Sequence, residues 1–412
     1  MYDVAIIGAG PAGSAAGKIL ADYGFKVAIF EKEILPRFKA CGGGVAIRCK
    51  KALDRLDINI NEVALQEYKG FKLGYKNQLA SCYLDMIMGW GVYRKDFDFL
   101  LTKKAELSGA KIFENHKIID IKKNKNYYAI KTKNEKKTAR IVFGADGVNS
   151  LVRKKLGIEY DKSKLGFCLE TEVKADQSEI EEYNDMIYLD LSYLKEGYAW
   201  IFPKKNACTL NIGVGTYLNI AQNPEISLKN ILLKFIKDKG FSNKIEKFFG
   251  ALIPFGGAVR PLGKDNVILL GDAAGLVSPM SGEGIPYALD SGIIAADCTK
   301  KYFENKVSLL ENYTLSISHL TKEVSNYALN IQKKLYGSDK HRELIVKICK
   351  QNNDIFKTIG KIFLHEISYK DGINKLSITR LIPEIIKLYY SESIFSPISS
   401  FSPSPLVKWV RM

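Results

Sequence analysis

The chain has 412 residues, 46% of them hydrophobic, and its 61 Lys and Arg outnumber its 45 Asp and Glu to give a net charge of +16. That length exceeds one small core and implies two or three domains. Seven scattered cysteines, odd in number and without short metal-type pairing, argue against a disulfide framework or a metal site and for reduced thiols in a cytoplasmic setting.

No apolar run approaches the roughly 18 residues that cross a bilayer. Any membrane association, on the inner face, is therefore expected to be peripheral. The first strand begins at about Tyr2, which leaves no room for an export signal. The basic charge comes with no nucleic-acid recognition motif, so nucleic acid is not expected as a partner.

The run Val4-Ala5-Ile6-Ile7 enters Gly8-Ala9-Gly10-Pro11-Ala12-Gly13, a helix-length segment follows, and Val27-Ala28-Ile29-Phe30 ends on Glu31. Strand, Gly-x-Gly-x-x-Gly turn, helix, second strand and terminal acid in that order form a dinucleotide-binding fingerprint. Gly8 permits the tight turn, Gly10 lets the backbone approach a pyrophosphate at the helix N-terminus, and Gly13 lets helix and strand pack closely. Glu31 is placed to hold a ribose hydroxyl.

A basic loop, Pro36-Arg37-Phe38-Lys39-Ala40, leads to Cys41 and the triplet Gly42-Gly43-Gly44, whose bare backbone suits close approach of a flat ligand. Cys41 reads equally as a buried filler or as a group placed at that ligand. Residues 46–66 are expected to be helical, residues 68–93 to form strands, and Arg94 to open another helix. There Arg94 could meet a phosphate or ribose, or pair at the surface with Asp96 or Asp98.

Residues 101–140 hold twelve Lys and Arg against four acids. Segments 117–122 and 127–132 bracket a turn at Asn124–Asn126, so this is either a solvated hairpin or a surface for an anionic partner, a phospholipid face or an acidic electron carrier. The run Ile141-Val142-Phe143-Gly144-Ala145 ends on Asp146-Gly147. Asp146 either faces the ligand crevice or caps the helix beginning near Asn149, with Arg153 as its partner.

Alternation through 166–173, 186–190, 198–203 and 208–214 predicts an antiparallel sheet, interrupted by a helix at 227–239. Tyr198, Trp200 and Phe202 share one face of it, as ordinary core or as the wall of an apolar site. A hydrophobic strand then ends at Gly271-Asp272, and Gly282-Glu283-Gly284-Ile285 offers free N–H groups at a helix start, where the dipole favours an anion. Beyond residue 300, apolar positions such as Ile345, Ile348, Ile355, Ile359 and Ile362 recur at helical spacing. The tail 396–411 is broken by prolines and ends apolar and basic, in keeping with docking on the fold or contact with a membrane.

Gly8–Gly13 with Glu31, Arg94, Asp146-Gly147 and Gly271-Asp272, in this order, resemble the FAD-containing group that includes aromatic hydroxylases. Pro36-Arg37-x-Lys39-x-Cys41-Gly42-Gly43-Gly44 and Gly197-Tyr198-x-Trp200-x-Phe202-Pro203-Lys204 are similar to the geranylgeranyl reductase family, especially its archaeal membrane-lipid members. The resemblance implies an α/β chain with a Rossmann-like FAD-binding domain (1–75, 94–160 and 261–330), an antiparallel-sheet substrate domain (76–93 and 161–260) and a C-terminal helical region (331–412). It also implies noncovalent FAD held by Gly8, Gly10, Ala12, Gly13, Glu31, Cys41, Gly42, Gly44, Arg94, Ile118 (through its backbone), Asp272, Gly284 and Ile285.

The implied activity is saturation of isolated C=C bonds of geranylgeranyl chains, on a digeranylgeranylglycerophospholipid or on geranylgeranyl diphosphate. The alternatives are an isoprenoid quinone side-chain reductase and an FAD monooxygenase. Reduced flavin would give a hydride to one carbon while Cys41, or a water, protonates the other; Tyr198, Trp200 and Phe202 would line the polyprenyl tunnel. No second dinucleotide turn is seen, so electrons are expected from an external donor, reduced ferredoxin or NAD(P)H.

Overall fold

The computed structural model describes residues 1–376 apart from 184, 242–243, 337 and 365; the tail 396–411 lies outside the described residues. In chain order, β1 (Tyr2–Ile7) leads through the glycine turn to α1 (Pro11–Asp22) and β2 (Val27–Phe30). Next come β3 (Gly44–Ala46), α2 (Lys50–Arg55), β4 (Ala64–Tyr68), β5 (Gly70–Tyr75), β6 (Gln78–Tyr83), β7 (Gly89–Val92) and α3 (Arg94–Leu107). Strands β8 (Lys111–Phe113), β9 (Asp120–Lys123), β10 (Tyr128–Lys131) and β11 (Lys136–Gly144) precede α4 (Leu151–Lys155). Then follow β12 (Leu165–Lys174), α5 (Gln177–Tyr183), β13 (Met186–Asp190), β14 (Gly197–Lys204), β15 (Thr209–Tyr217), α6 (Leu218–Ala221), α7 (Leu228–Asp238) and β16 (Phe249–Pro254). Strands β17 (Gly263–Lys264) and β18 (Val267–Leu269) lead to the long α8 (Ile285–Asn305), α9 (Leu309–Ser316), α10 (Ser318–Lys322), α11 (Leu329–Tyr336), α12 (Asp339–Gln351), α13 (Asn353–Phe363) and α14 (Tyr369–Lys375).

The first sheet runs β17-β18-β11-β1-β2-β8, parallel at its centre, with β9 and β10 added antiparallel to β11. At its centre Val4–Ile7, Val27–Phe30 and Ile141–Phe143 are unbroken, fully buried apolar runs because both faces are covered there. Every residue from Pro11 to Leu20 is buried, so α1 has no solvent stripe. Small residues make that possible: a Cβ on Gly13 would strike the Gly8 carbonyl, one on Gly17 the Ile29 side chain, and one on Gly292 of α8 the Ala12 carbonyl. The basic stretch forms the expected hairpin, and several of its lysines are paired: Lys123 with Asp265 at 2.8 Å and Lys137 with Glu135 at 2.6 Å.

The second sheet runs β16-β12-β15-β14-β13-β5-β6. All its pairs are antiparallel except β13 with β5. Because β5 pairs here from Gly70 onward, the second layer starts earlier than residue 76, and β7 leaves it for a three-stranded sheet with β3 and β4. Of the helix expected over 46–66, only Lys50–Arg55 is α-helical. Asp57 adopts a left-handed φ of 53° and Asn59 caps a separate turn through the Asn61 N–H, so the chain breaks out of the helix there.

The C-terminal helices pack on the far edge of the second sheet, with the Phe71 and Phe356 rings 4.6 Å apart and Gly360 leaving room for the Phe71 ring. Among the described residues no helix is long and apolar enough to cross a membrane.

Candidate functional site

A single cavity of about 1010 Å³ runs between the two sheets, from the glycine turn to the aromatic strand. Each of the predicted site residues lines it except Gly13, which stands one layer behind. At the nucleotide end the three fingerprint glycines do three different jobs. Gly8 has a φ of 107° and sits against the Ala145 carbonyl, so no side chain fits there. Gly13 seats α1 against the turn. Gly10 alone faces open space: an added Cβ would meet only the Arg37 guanidinium, at 3.8 Å. The first turn of α1 therefore presents its N–H groups to the cavity with nothing in front of them, the arrangement that receives a phosphate.

Glu31 is buried and accepts the Ala9 N–H through Oε2 and the Glu33 N–H through Oε1, each at 3.1 Å. Arg37 Nε lies 3.4 Å from Glu31, and its other end reaches Asp98 at 3.1 Å. Arg94 donates to both Asp98 oxygens, at 2.8 and 2.9 Å. Glu31, Arg37, Asp98 and Arg94 thus form a row of two acids and two arginines along the cavity wall. The pair expected at the surface is buried instead, with Asp98 fully covered. Burial alone would raise the Asp98 carboxyl, but Arg94 and Arg37 outweigh it and hold it below the usual carboxylate range.

On the opposite wall Asp272 stands in the turn after β18, its carboxylate 3.9 Å from Lys39 Nζ and beside Gly284, the residue that opens α8 ahead of Ile285. Ile118 lines the far end next to His116 and Lys117, just before β9 begins. Asp146 is a cap: it accepts Ser150 Oγ at 2.5 Å and the Leu151 and Val152 N–H groups at 2.6 and 3.1 Å. Arg153 turns away from it and ties two loops together through the Val148 and Ala273 carbonyls.

The glycine triplet sits where the two halves meet. A Cβ on Gly42 would come within 2.8 Å of the Phe202 ring, and Gly43, at φ 79°, lies on the Val92 carbonyl. The missing side chains therefore first let this loop settle onto the second sheet. Cys41, half-buried, accepts the Gly43 N–H through Sγ at 3.4 Å.

Beyond it the wall is built on alternate residues of β14. Tyr198 is tethered through its hydroxyl to the Ser281 carbonyl, Trp200 donates Nε1–H to Asn211 at 2.7 Å, and Phe202 lies 6.4 Å from the Trp200 ring. Gly213 and Gly215 on β15 leave the space that the indole and Cys168 occupy. The roof comes from helices whose sequence reads only as generic apolar repeat: Gln332, Tyr336, Phe363 and Leu364. Tyr336 hydrogen-bonds the Met280 carbonyl at 3.0 Å and lies parallel to Tyr198. Tyr68, Ile187 and Glu170, also on this wall, were not singled out by the sequence.

Residues 1–314 match the family model described as FAD binding domain. Over 407 residues the chain is 28% identical to the digeranylgeranylglycerophospholipid reductase of Methanococcus vannielii, covering 95% of this chain and 98% of that one. It is 30% identical over 370 residues to the geranylgeranyl diphosphate reductase of Rhodobacter capsulatus, covering 84% and 88%. The fold is similar to that of the geranylgeranyl bacteriochlorophyll reductase-like protein from Thermoplasma acidophilum, with a TM-score of 0.78, 25% identity and coverage of 91% and 98%.

Proposed function

Because the chain belongs to the FAD-binding-domain family and, within it, to the geranylgeranyl reductases, we propose that it saturates isolated C=C bonds of geranylgeranyl chains carried by a membrane glycerolipid. The observation that carries this reading is the single cavity that starts at a bare helix N-terminus, passes the Cys41 loop and ends on a wall of rings.

FAD is the cofactor, and the residues present fit it. Gly10 leaves room for a pyrophosphate, the α1 dipole favours its charge, and a cavity of about 1010 Å³ reaches the upper end of ligand sites, which run to roughly 1,000 Å³. In this reading Gly8, Gly10 and Ala12 face the phosphates, with Gly13 behind them. Glu31 and Asp272 take sugar-chain hydroxyls, Arg94 and the Ile118 backbone border the nucleotide, and Cys41, Gly42, Gly44, Gly284 and Ile285 border the ring. Reduced FAD supplies the hydride.

What the chain adds is geometry and dryness. An unconjugated alkene offers no polar handle, so shape must hold it; Tyr198, Trp200 and Phe202, with Tyr336 above them, define a slot in which Tyr198, Trp200 and Tyr336 are pinned by hydroxyl and indole hydrogen bonds and Phe202 by packing on the glycine loop. The rim carries Phe38, 58% exposed and 4.2 Å from the Phe249 ring, with Lys247 over that ring and Lys39 beside it. An exposed ring on a half-buried one, flanked by lysines, suits a peripheral contact with an anionic bilayer, from which a prenyl chain can be taken up. Electrons come from an external carrier, reduced ferredoxin or NAD(P)H.

The test is anaerobic turnover of the chemically reduced holoenzyme with a geranylgeranylated glycerolipid and with a polyprenyl quinone side by side, followed by mass spectrometry. Added pairs of hydrogens on the glycerolipid support the reading; hydrogen added only to the quinone side chain, or oxygen incorporated when air is admitted, would replace it with one of the other two activities.

A further inference from the structure

The aromatic wall holds a buried acid beside the Cys41 loop. Glu170 is the sixth residue of β12, on the same face as Cys168 and Glu172, 4% exposed and lining the cavity beside the Cys41 loop. Its Oε1 accepts the Cys41 peptide N–H at 2.6 Å. Its neighbour Glu172 takes the buried cation of this wall: Glu172 Oε1 receives Lys204 Nζ at 2.5 Å and Asn211 Nδ2 at 2.9 Å. Among the described residues no cation lies within ion-pair distance of Glu170. A buried carboxyl without a cation stays neutral more readily than one in water. Burial pushes Glu170 up to about 7, against the pull of the Cys41 N–H and the Lys204 charge and with the help of Glu172.

We propose that Glu170 is the proton donor of the site, and that the Cys41 peptide N–H, rather than the Cys41 thiol, is what the glycine loop contributes to that step. The inference rests on the alkene reduction proposed above. Saturating one C=C takes up a hydride and a proton: the hydride is supplied by the reduced flavin of that reaction, and the proton leaves the Glu170 carboxyl. The O–H bond breaks as the second C–H bond forms, and its electron pair stays on the carboxylate. A peptide N–H already aimed at Oε1 stabilises the charge as it develops, without reorganisation. The carboxylate then regains its proton from water.

Because the protonated form acts, turnover falls as pH rises through about 7, the sign set by the raised Glu170 carboxyl. The groups facing it are Cys41 on the loop, Cys168 and Glu172 on its own strand, Asn211 on β15 and Lys204 on β14. Cys168 is pushed well above its ordinary value by burial, then by Glu170, and so does not titrate in this range.

The experiment uses holoenzyme carrying carboxyl-labelled glutamate, with Glu170→Gln and Glu170→Asp beside the wild type. Carbon NMR across pH 5–9 should show two carboxyls titrating near 7 in the wild type, since burial also raises Glu283 to about 7; the one absent from Glu170→Gln is Glu170, the Glu283 signal stays, and flavin absorbance shows FAD still bound. Single-turnover lipid reduction should fall about 10²- to 10⁴-fold in Glu170→Gln and lose its alkaline limb, with Glu170→Asp recovering part of the rate and the limb. Wild-type rates in Glu170→Gln, or a Glu170 carboxyl titrating in the ordinary range near 4, would overturn the proposal. Loss of FAD from both variants would also overturn it, by making the residue structural. If the wild type reduces only quinone side chains, the substrate reading fails, while the NMR titration and the same rate comparison on quinone still decide the role of Glu170.

Discussion

The two ends of the cavity are built from different materials. The nucleotide end is made of backbone: a turn without side chains, the N-terminus of a buried helix, and a neutral row of Glu31, Arg37, Asp98 and Arg94 that holds the turn in place. The other end is made of side chains: rings on alternate residues of β14, seated over glycines of β15 and roofed by helices that arrive more than a hundred residues later. A backbone-built site tolerates no added atoms but accepts any side chain that points elsewhere. A side-chain-built site can be reshaped one ring at a time. Substitutions at the two ends should therefore fail in different ways.

The strongest break is expected at Asp98. Asp98→Ala leaves Arg94 without its carboxylate in a buried wall and Arg37 with Glu31 alone, and removing one partner of a buried pair costs about 3–5 kcal/mol. Urea unfolding should register that loss. The pH dependence has a definite sign: the Asp98 carboxyl is depressed in the fold, so its stabilisation is present above the ordinary carboxylate range and fades as pH falls through and below it. Wild-type stability should drop in acid, and Asp98→Ala should show a shallower drop.

Next in size is Gly13→Ala. The new Cβ would strike the Gly8 carbonyl and the Ile6 side chain, so α1 must move off the turn. Overpacking of this kind costs about 1–3 kcal/mol, and the displaced helix start should weaken FAD binding without altering lipid binding. Equilibrium dialysis of the two ligands separates these effects; equal losses of both would erase the contrast between the ends.

The backbone end was legible in the sequence because glycine spacing encodes geometry directly. Gly8, Gly10 and Gly13 admit one arrangement of strand, turn and helix, and the second strand ending at Glu31 completes it. The alternating strands 166–173 and 198–203 were legible for the same reason, since a period of two fixes which side chains share a face. What was not legible depends on contacts across the chain. Asp98 and Arg94 lie four apart on a helix that could equally have been exposed, and only burial turns their pair into part of the wall. The residues 46–66 carry helical apolar spacing, yet Asp57 and Asn59 break it locally. Tyr336 and Phe363 look like any helix core until α11 and α13 are folded over β14. Asp146 left two readings open, and the structure meets both: it caps the α4 turn through Ser150, Leu151 and Val152 and also lines the cavity.

The smallest effect is expected at the rim. Phe38→Ser removes an exposed ring that packs on Phe249 and leaves both the charge row and the aromatic wall untouched. Partial burial of one phenyl ring in a bilayer surface is worth about 1 kcal/mol, so binding to anionic vesicles should fall roughly fivefold, as read by flotation. Turnover of detergent-solubilised lipid should be unchanged.

The central claim is that one cavity brings FAD and a prenyl chain into contact, and the flavin spectrum tests it most directly. Titrating a geranylgeranyl glycerolipid into the FAD-loaded protein should perturb the flavin absorbance, because in the proposed arrangement the chain would enter against the ring between Cys41 and Trp200, both of which line the cavity. Trp200→Ala should abolish that perturbation while FAD stays bound at its normal stoichiometry. A lipid that binds tightly without changing the flavin spectrum, or a Trp200→Ala protein that loses FAD and keeps lipid, would contradict the account.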